Sequence, residues 1–201
     1  MTEAPFAEYA ARNTQPILDV LRREFRAASE VLEIGSGTGQ HAVAFGAELD
    51  PVCWQTSDLE ENHAGINAWI ERAGGENVRP PLSLDVRTAT LSPASFDAVF
   101  SANTAHIMGI DAVSDMFALV GDVLRAAGVF CLYGPFRIRG AFNTSSNDAF
   151  DRSLRRRDAV MGIRDIEVLD EFGLRGGLHR RRLYAMPANN FVGVWTRTRE
   201  E

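Results

Sequence analysis

The sequence predicts an α/β fold: a doubly wound, mostly parallel seven-stranded sheet ending in an antiparallel C-terminal hairpin. Three observations point to it. Short apolar runs alternate with amphipathic stretches from the first helix to about residue 135. A glycine loop, "EIGSGTGQH", follows the first of these runs directly. Two β-rich runs near the end flank "MPANN", with no helical pattern between them, which is how antiparallel neighbours are joined.

The elements follow in order. Pro16–Ala28 carries Ile17, Leu18, Val20, Leu21 and Phe25 at helical spacing, so a helix is expected, capped by Asn13 or Thr14 with Pro16 in its first turn. Val31–Ile34 is the first strand. Gln40–Glu48 is a helix, "PVCWQTSD" a second strand ending at Asp58, and Leu59–Ala73 a helix closed by Gly74 and Gly75. In "VRPPLSLDV" the third strand is expected to begin beyond the two prolines. "FDAVFSAN" gives the fourth strand, Ala112–Arg125 a helix, and "GVFCLYGPF" the fifth strand. The rhythm then breaks. Residues 136–146 form a polar loop of unusual length, followed by helices at Asn147–Val160 and Ile166–Phe172, and by two strands turning at Pro187–Asn190.

A length of 201 residues suits one domain, with a helical lid over about residues 1–28 and an insertion over about 136–160. At 45% hydrophobic residues the chain can bury a sizeable core. A net charge of −6 disfavours a long phosphate backbone as partner, so no nucleic acid is expected, and Arg155–Arg157 and Arg180–Arg182 read as solvated faces or small-anion contacts. The two cysteines, Cys53 and Cys131, lie in strand-like runs and suit a reducing compartment. No metal-ligand cluster is visible. The N-terminal stretch is acidic and lacks an apolar core, and no apolar run approaches ~18 residues, so no membrane partner and a cytoplasmic location are expected.

The glycine loop restricts the ligand. Gly35 and Gly37 fit the dinucleotide fingerprint, but its third glycine falls on Gln40, and no Lys-Ser/Thr follows to make a phosphate loop. Glu33 at the strand end repels phosphate and attracts a cation. A phosphate-free nucleoside bearing ammonium and sulfonium groups suits this better, and S-adenosylmethionine (SAM) is such a ligand. Asp58 ends the second strand, where a carboxylate accepts ribose hydroxyls, and Asp85 in "SLDV" stands where it can accept from an adenine amino group, with Val86 against the ring. Gly35, Ser36, Gly37, Gly39, Leu59 and Ser101 complete the expected cofactor set. Tyr9, Arg12 and Asn13 are expected to fold over the SAM carboxylate as part of a lid.

The strand, loop, second-strand acid and "LDV" resemble the class I SAM-dependent methyltransferases, a Rossmann-like group, over about residues 30–135. "RNTQPIL", "GSGTGQHA", "WQTSD", "AHI", "LYGPF", "SNDAFDRSLRRRD", "GIRD" and "MPANN" resemble more narrowly the domain of unknown function 938 family, the methyltransferase-like protein 26 group. That resemblance implies the fold and a SAM site, and no particular substrate. One departure is Met108-Gly109, where the family tends to carry Pro-Trp.

Methyl transfer from a sulfonium is an in-line displacement in which the protein mainly positions the nucleophile. At the end of the fourth strand, His106 is either a general base or a loop histidine bonded to backbone, and Asn103 either orients the nucleophile or caps the loop. Tyr133 completes the candidate catalytic set. Tyr9, Arg137, Asn147 and Asn190 are the candidate substrate-binding residues. The expected activity is methyl transfer to a small polar metabolite. Two alternatives are release of methylthioadenosine by attack of SAM's own amine, and SAM binding without turnover.

Overall fold

A computed structural model describes residues 4–73 and 75–198. Helix α1 (Glu8–Glu24) leads into β1 (Glu30–Glu33), α2 (Gln40–Glu48), β2 (Cys53–Asp58), α3 (His63–Ala73) and β3 (Val78–Ser83). There follow β4 (Phe96–Ala102), α4 (Ile110–Val123), β5 (Leu124–Gly134), β6 (Phe136–Arg137), α5 (Ser145–Arg157), β7 (Arg164–Asp165), α6 (Ile166–Arg175), β8 (Leu178–Met186) and β9 (Asn190–Arg197). The main sheet runs β3-β2-β1-β4-β5-β9-β8. β1, β2, β3, β4 and β5 pair in parallel, and β5-β9-β8 pair antiparallel.

Both faces of the sheet are covered. Along β5 the side chains alternate: Phe130 and Leu132 join the core under α4 and α6, while Cys131 and Tyr133 join the core under α1 and α2. Neighbours in β1 do the same, Leu32 facing one core and Val31 the other. Close backbone contact locks α4 to α6, since a Cβ on Gly121 would lie 2.2 Å from the Gly176 carbonyl oxygen.

Several boundaries differ from those expected. α1 begins at Glu8, and Pro16 lies inside it. Asn13 and Thr14 do not cap it, because the Ala-rich turn before them continues the helix and Ala10 is buried with Ile17, Leu18 and Leu21. β3 includes Pro80 and Pro81, which an edge strand tolerates. Between β3 and β4 the chain makes only turns, so the strand–helix alternation lapses there. α3 ends at Ala73, and Gly74 of its expected closing pair lies outside the described residues. α5 begins at Ser145, before the expected Asn147, and its cap is Thr144, whose hydroxyl accepts from the Asn147 N–H. The expected loop at 136–146 contains β6, which pairs in parallel with β7, and a bridge between Ile138 and Ala141.

Within the arginine clusters, Arg156 and Arg157 are exposed, while others are held by the protein itself. Arg180 makes a forked contact to Asp170 at 2.8–3.0 Å, Arg181 pairs with Glu24, and Arg155 pairs with Asp151 at 2.8 Å. Among the described residues no helix is long and apolar enough to cross a membrane.

Candidate functional site

The strand order reverses between β1 and β4, the switch point at which open α/β sheets form a crevice. A cavity of about 460 Å3 lies there. Its wall comes from the segments after four neighbouring strands: Gly35–Thr38, Asp58–Asn62, Leu84–Arg87 and Asn103–Gly109. Tyr9 and Ala10 of α1 and His41 of α2 complete it.

The loop after β1 is built by its glycines. Gly35, Gly37 and Gly39 hold φ of 74°, 58° and 89°, a region that side chains other than glycine adopt only with strain. Gly39 lets the loop pack on α3, since a Cβ there would lie 3.0 Å from the Ile66 Cα. At Gly37 a Cβ would meet nothing within 4 Å, so this backbone is an open cradle on the cavity side. Ser36 is buried and its hydroxyl accepts from the Ser57 N–H at 3.2 Å, tying the loop to β2.

Asp58 is held at both oxygens. Its Oδ2 accepts from the Gly37 N–H at 2.7 Å, and its Oδ1 accepts from the Leu59 N–H and the Asn62 amide at 2.7 and 2.8 Å. Oδ1 is therefore filled, and Oδ2 keeps one acceptor site. The expected pair of ribose hydroxyls is met by room for one, unless Asn62 moves. Asp85 lies in the wall but is gripped by the Arg87 guanidinium at 2.5–3.2 Å, which pulls its carboxyl below the usual range. The expected bond from an adenine amino group would have to displace Arg87. Val86 and Leu59 also line the cavity.

Glu33 is placed differently from these two. It is buried beneath the loop, outside the cavity wall, with Oε2 accepting from the Trp54 indole at 3.1 Å. Burial pushes its carboxyl from 4.5 up to about 7, against the hydrogen bonds from Trp54 and Ser36. The expectation of a bare negative charge at the strand end becomes that of a carboxyl half-protonated near neutrality. Ser101 is also beneath the wall, fully buried, with its hydroxyl donating to the Ile34 carbonyl at 2.7 Å and touching the Thr104 hydroxyl.

Helix α1 closes one side of the cavity, and the expected lid residues divide. Tyr9 lines the opening and is 55% exposed. Arg12 points to solvent, pairs with Glu8 at 3.3 Å and does not reach the cavity. The i, i+4 spacing on an exposed helix face explains that choice. Asn13 turns inward, its Oδ1 2.7 Å from Nε2 of His41. Since the Ala10 carbonyl also faces Nε2 at 3.3 Å, the His41 proton sits on that nitrogen. Gln40, the residue standing where a dinucleotide fold needs glycine, accepts from the Ala7 N–H at 2.5 Å. Gln40 and His41 together latch α1 to α2. Sequence reasoning missed this role, though "GQHA" was in view: with glycines beside them, both side chains read as ordinary helix residues.

On the acceptor side, Asn103 lines the cavity with φ of 60° and donates its N–H to the Tyr133 carbonyl. Tyr133 is buried, which pushes its phenol up against the contacts of Asn13 and Asn190. His106 is buried behind the wall, its ring edge-on to Phe150 at 5.5 Å. Burial first, and then the charge of Arg164, lower its pKa from 6.5 to about 4. His106 is thus a neutral imidazole at pH 7, and its expected tuning near neutrality is lost to desolvation. Asn147 is buried and donates to Asn143 and to the Asn189 carbonyl, while Asn190 donates to the Pro187 carbonyl at 3.4 Å. Arg137 lies over the Phe142 ring, with its charged carbon 5.7 Å from the ring centre. Arg137, Asn147 and Asn190 do not line the cavity itself.

Solved structures share this architecture. The SAM-dependent methyltransferase SibL in its apo form has a TM-score of 0.79 at 18% identity, over 95% of this chain and 56% of that one. An O-methyltransferase family protein from Burkholderia thailandensis gives 0.81 at 13%, over 96% and 59%. PigF with SAH gives 0.74 at 15%, over 95% and 64%. The chain spans less than two thirds of the length of each, and at such identities the likeness is one of fold. The model of one family, described as "Protein of unknown function (DUF938)", matches residues 4–197, and the chain belongs to that family.

Proposed function

We propose that this protein is a SAM-dependent methyltransferase acting on a small polar metabolite. The observation that carries the reading is the convergence of four strand-end segments on one cavity whose glycine cradle is open at Gly37 and whose second wall holds Asp58. The fold shared with SAM-dependent methyltransferases supports it.

Gly35, Ser36, Gly37 and Gly39 would hold the methionyl part of SAM, Asp58 would accept a ribose hydroxyl, and Asp85, Val86 and Leu59 would frame the adenine. Tyr9 covers the opening, and Asn13 sets the position of α1 through His41. Bound SAM supplies a methyl group that passes to an acceptor lone pair while the S–C bonding electrons stay on sulfur. Asn103, held in a left-handed turn by the Tyr133 carbonyl, orients the acceptor. Tyr133 does not line the cavity; it remains a phenol at neutral pH and acts through its carbonyl on Asn103. The protein thus positions and shields, and an acceptor that must lose a proton gives it to solvent.

Incubation with SAM and a metabolite extract, followed by mass spectrometry of the nucleoside product, tests the reading. S-adenosylhomocysteine is the expected product. Methylthioadenosine as the product, or saturable SAM binding with no product from any fraction, would overturn it.

A further inference from the structure

Beside the cavity lies a cationic region in which, among the described residues, neither Arg137 nor Arg164 has an ion-pair partner. Nε of Arg137 is buried with no hydrogen-bond partner. A buried N–H left unpaired is costly, and such exceptions mark places where something outside the chain completes the bond. Among the described residues Arg137 has no ion-pair partner, although β6 and β7 set it opposite Asp165. Asp165 gives its two oxygens to the Gly140 and Glu167 N–H groups. Arg164 is also without a carboxylate; it donates to the carbonyls of Ala105, Met108 and Val160. Arg137, Arg155 and Arg164 are close enough for their charges to act on one another, and Asp151, engaged by Arg155 and by the Ile163 N–H, is the acid set among them.

The surroundings are aromatic. Phe142 lies under the Arg137 guanidinium, Phe136 stacks on Phe191 at 6.4 Å, and Phe150 meets His106 edge-on. The region adjoins the acceptor side. Arg137 follows the end of β5, where Tyr133 holds Asn103, and Arg164 holds the carbonyl of Met108, which lines the cavity. A half-buried guanidinium that has no ion-pair partner among the described residues and lies over an aromatic ring fits a planar carboxylate in a forked contact through its terminal nitrogens.

We propose that Arg137 binds the acceptor's anionic group, and that the acceptor is a small carboxylate on an aromatic or apolar body. The inference rests on the methyl-transfer reading for the word acceptor, while the anion site stands on its own geometry.

Benzoate titrated into protein loaded with S-adenosylhomocysteine, followed by NMR, tests it. Benzoate binds saturably, and benzyl alcohol, its uncharged analogue, binds more weakly. Arg137→Gln weakens benzoate by about tenfold or more, the worth of a charge-assisted pair of hydrogen bonds, and leaves affinity for S-adenosylhomocysteine unchanged. Arg137→Lys, which keeps the charge and loses the fork, falls between. No saturable benzoate binding, equal binding of benzyl alcohol, or tighter binding of phenyl phosphate than of benzoate overturns the proposal. The comparison of the two wild-type titrations needs no variant to fold. If benzoate binds as stated and no extract yields S-adenosylhomocysteine, methyl transfer fails and the anion site survives.

Discussion

Glu33→Gln converts the buried acid beneath the glycine loop into a test of its protonation. The carboxyl rises from 4.5 unfolded to about 7 folded, chiefly because burial penalises the charge. The sign follows from linkage. A group whose folded pKa is raised stabilises the fold fully below 4.5, and that stability is lost as pH rises through about 7. At 1.36 kcal/mol per pH unit, the loss is about 3 kcal/mol. Gln keeps an oxygen for the Trp54 indole and cannot ionise. His41 and His106 titrate with the opposite sign, since burial lowers both to about 4 and their stability is lost on acidification. They are common to both proteins, so the difference between wild type and variant removes them. Urea unfolding of both proteins on the acid side of 4.5 and on the alkaline side of 7 measures that difference. It should move in favour of Gln by about 3 kcal/mol on the alkaline side. A difference that does not change with pH would show that Glu33 titrates normally and that the burial argument is wrong.

Asp58→Ala should weaken SAM by at least about 1.5 kcal/mol in calorimetry, because it removes a charged acceptor and releases the Gly37 N–H that shapes the cradle. Unchanged affinity would take Asp58 out of the ribose site. Gly39→Ala should destabilise the fold by about 1–3 kcal/mol in denaturant melts, since φ is 89° and Ile66 backbone blocks the Cβ. His106→Gln should flatten the loss of stability between pH 6.5 and about 4, and the wild-type rate of methyl transfer should show no inflection near 6.5. An inflection at 6.5 that vanishes in the variant would restore His106 as a base.

The sheet and the cavity walls were legible because both are written in local patterns. Apolar runs, a glycine loop and acids at strand ends place Gly37, Asp58 and Asp85 around one crevice without any tertiary information. What was not legible depends on what each side chain meets after folding. Glu33 and Asp58 look alike as strand-terminal acids, yet one is buried under Trp54 and the other opens to the cavity. Arg12 and Asn13 are adjacent in the helix, and a rotation of 100° per residue sends one to solvent and the other to His41. Pro16 read as a helix start because the turns before it hold few large apolar residues, and Ala10 supplies the contact instead.

The cost of Glu33 makes sense on the methyl-transfer reading. An ionised carboxylate directly beneath the cofactor would favour the cationic sulfonium before reaction more than the neutral thioether after it, and interactions stronger in the ground state than in the transition state slow the chemical step. Burial raises that carboxyl to about 7, against the hydrogen bond from Trp54, so about half of it is protonated at neutral pH. The other two acids are engaged by donors of the chain, Asp58 by three and Asp85 by Arg87. On the opposite side the unpaired charge is positive, at Arg137 and Arg164. An acceptor anchored there by its anionic group presents another atom to the cationic methyl donor, whose charge is dispersed as the methyl group moves. Such a reaction gains from a dry site more than from a strong base, which agrees with two histidines held neutral and a tyrosine held protonated around it.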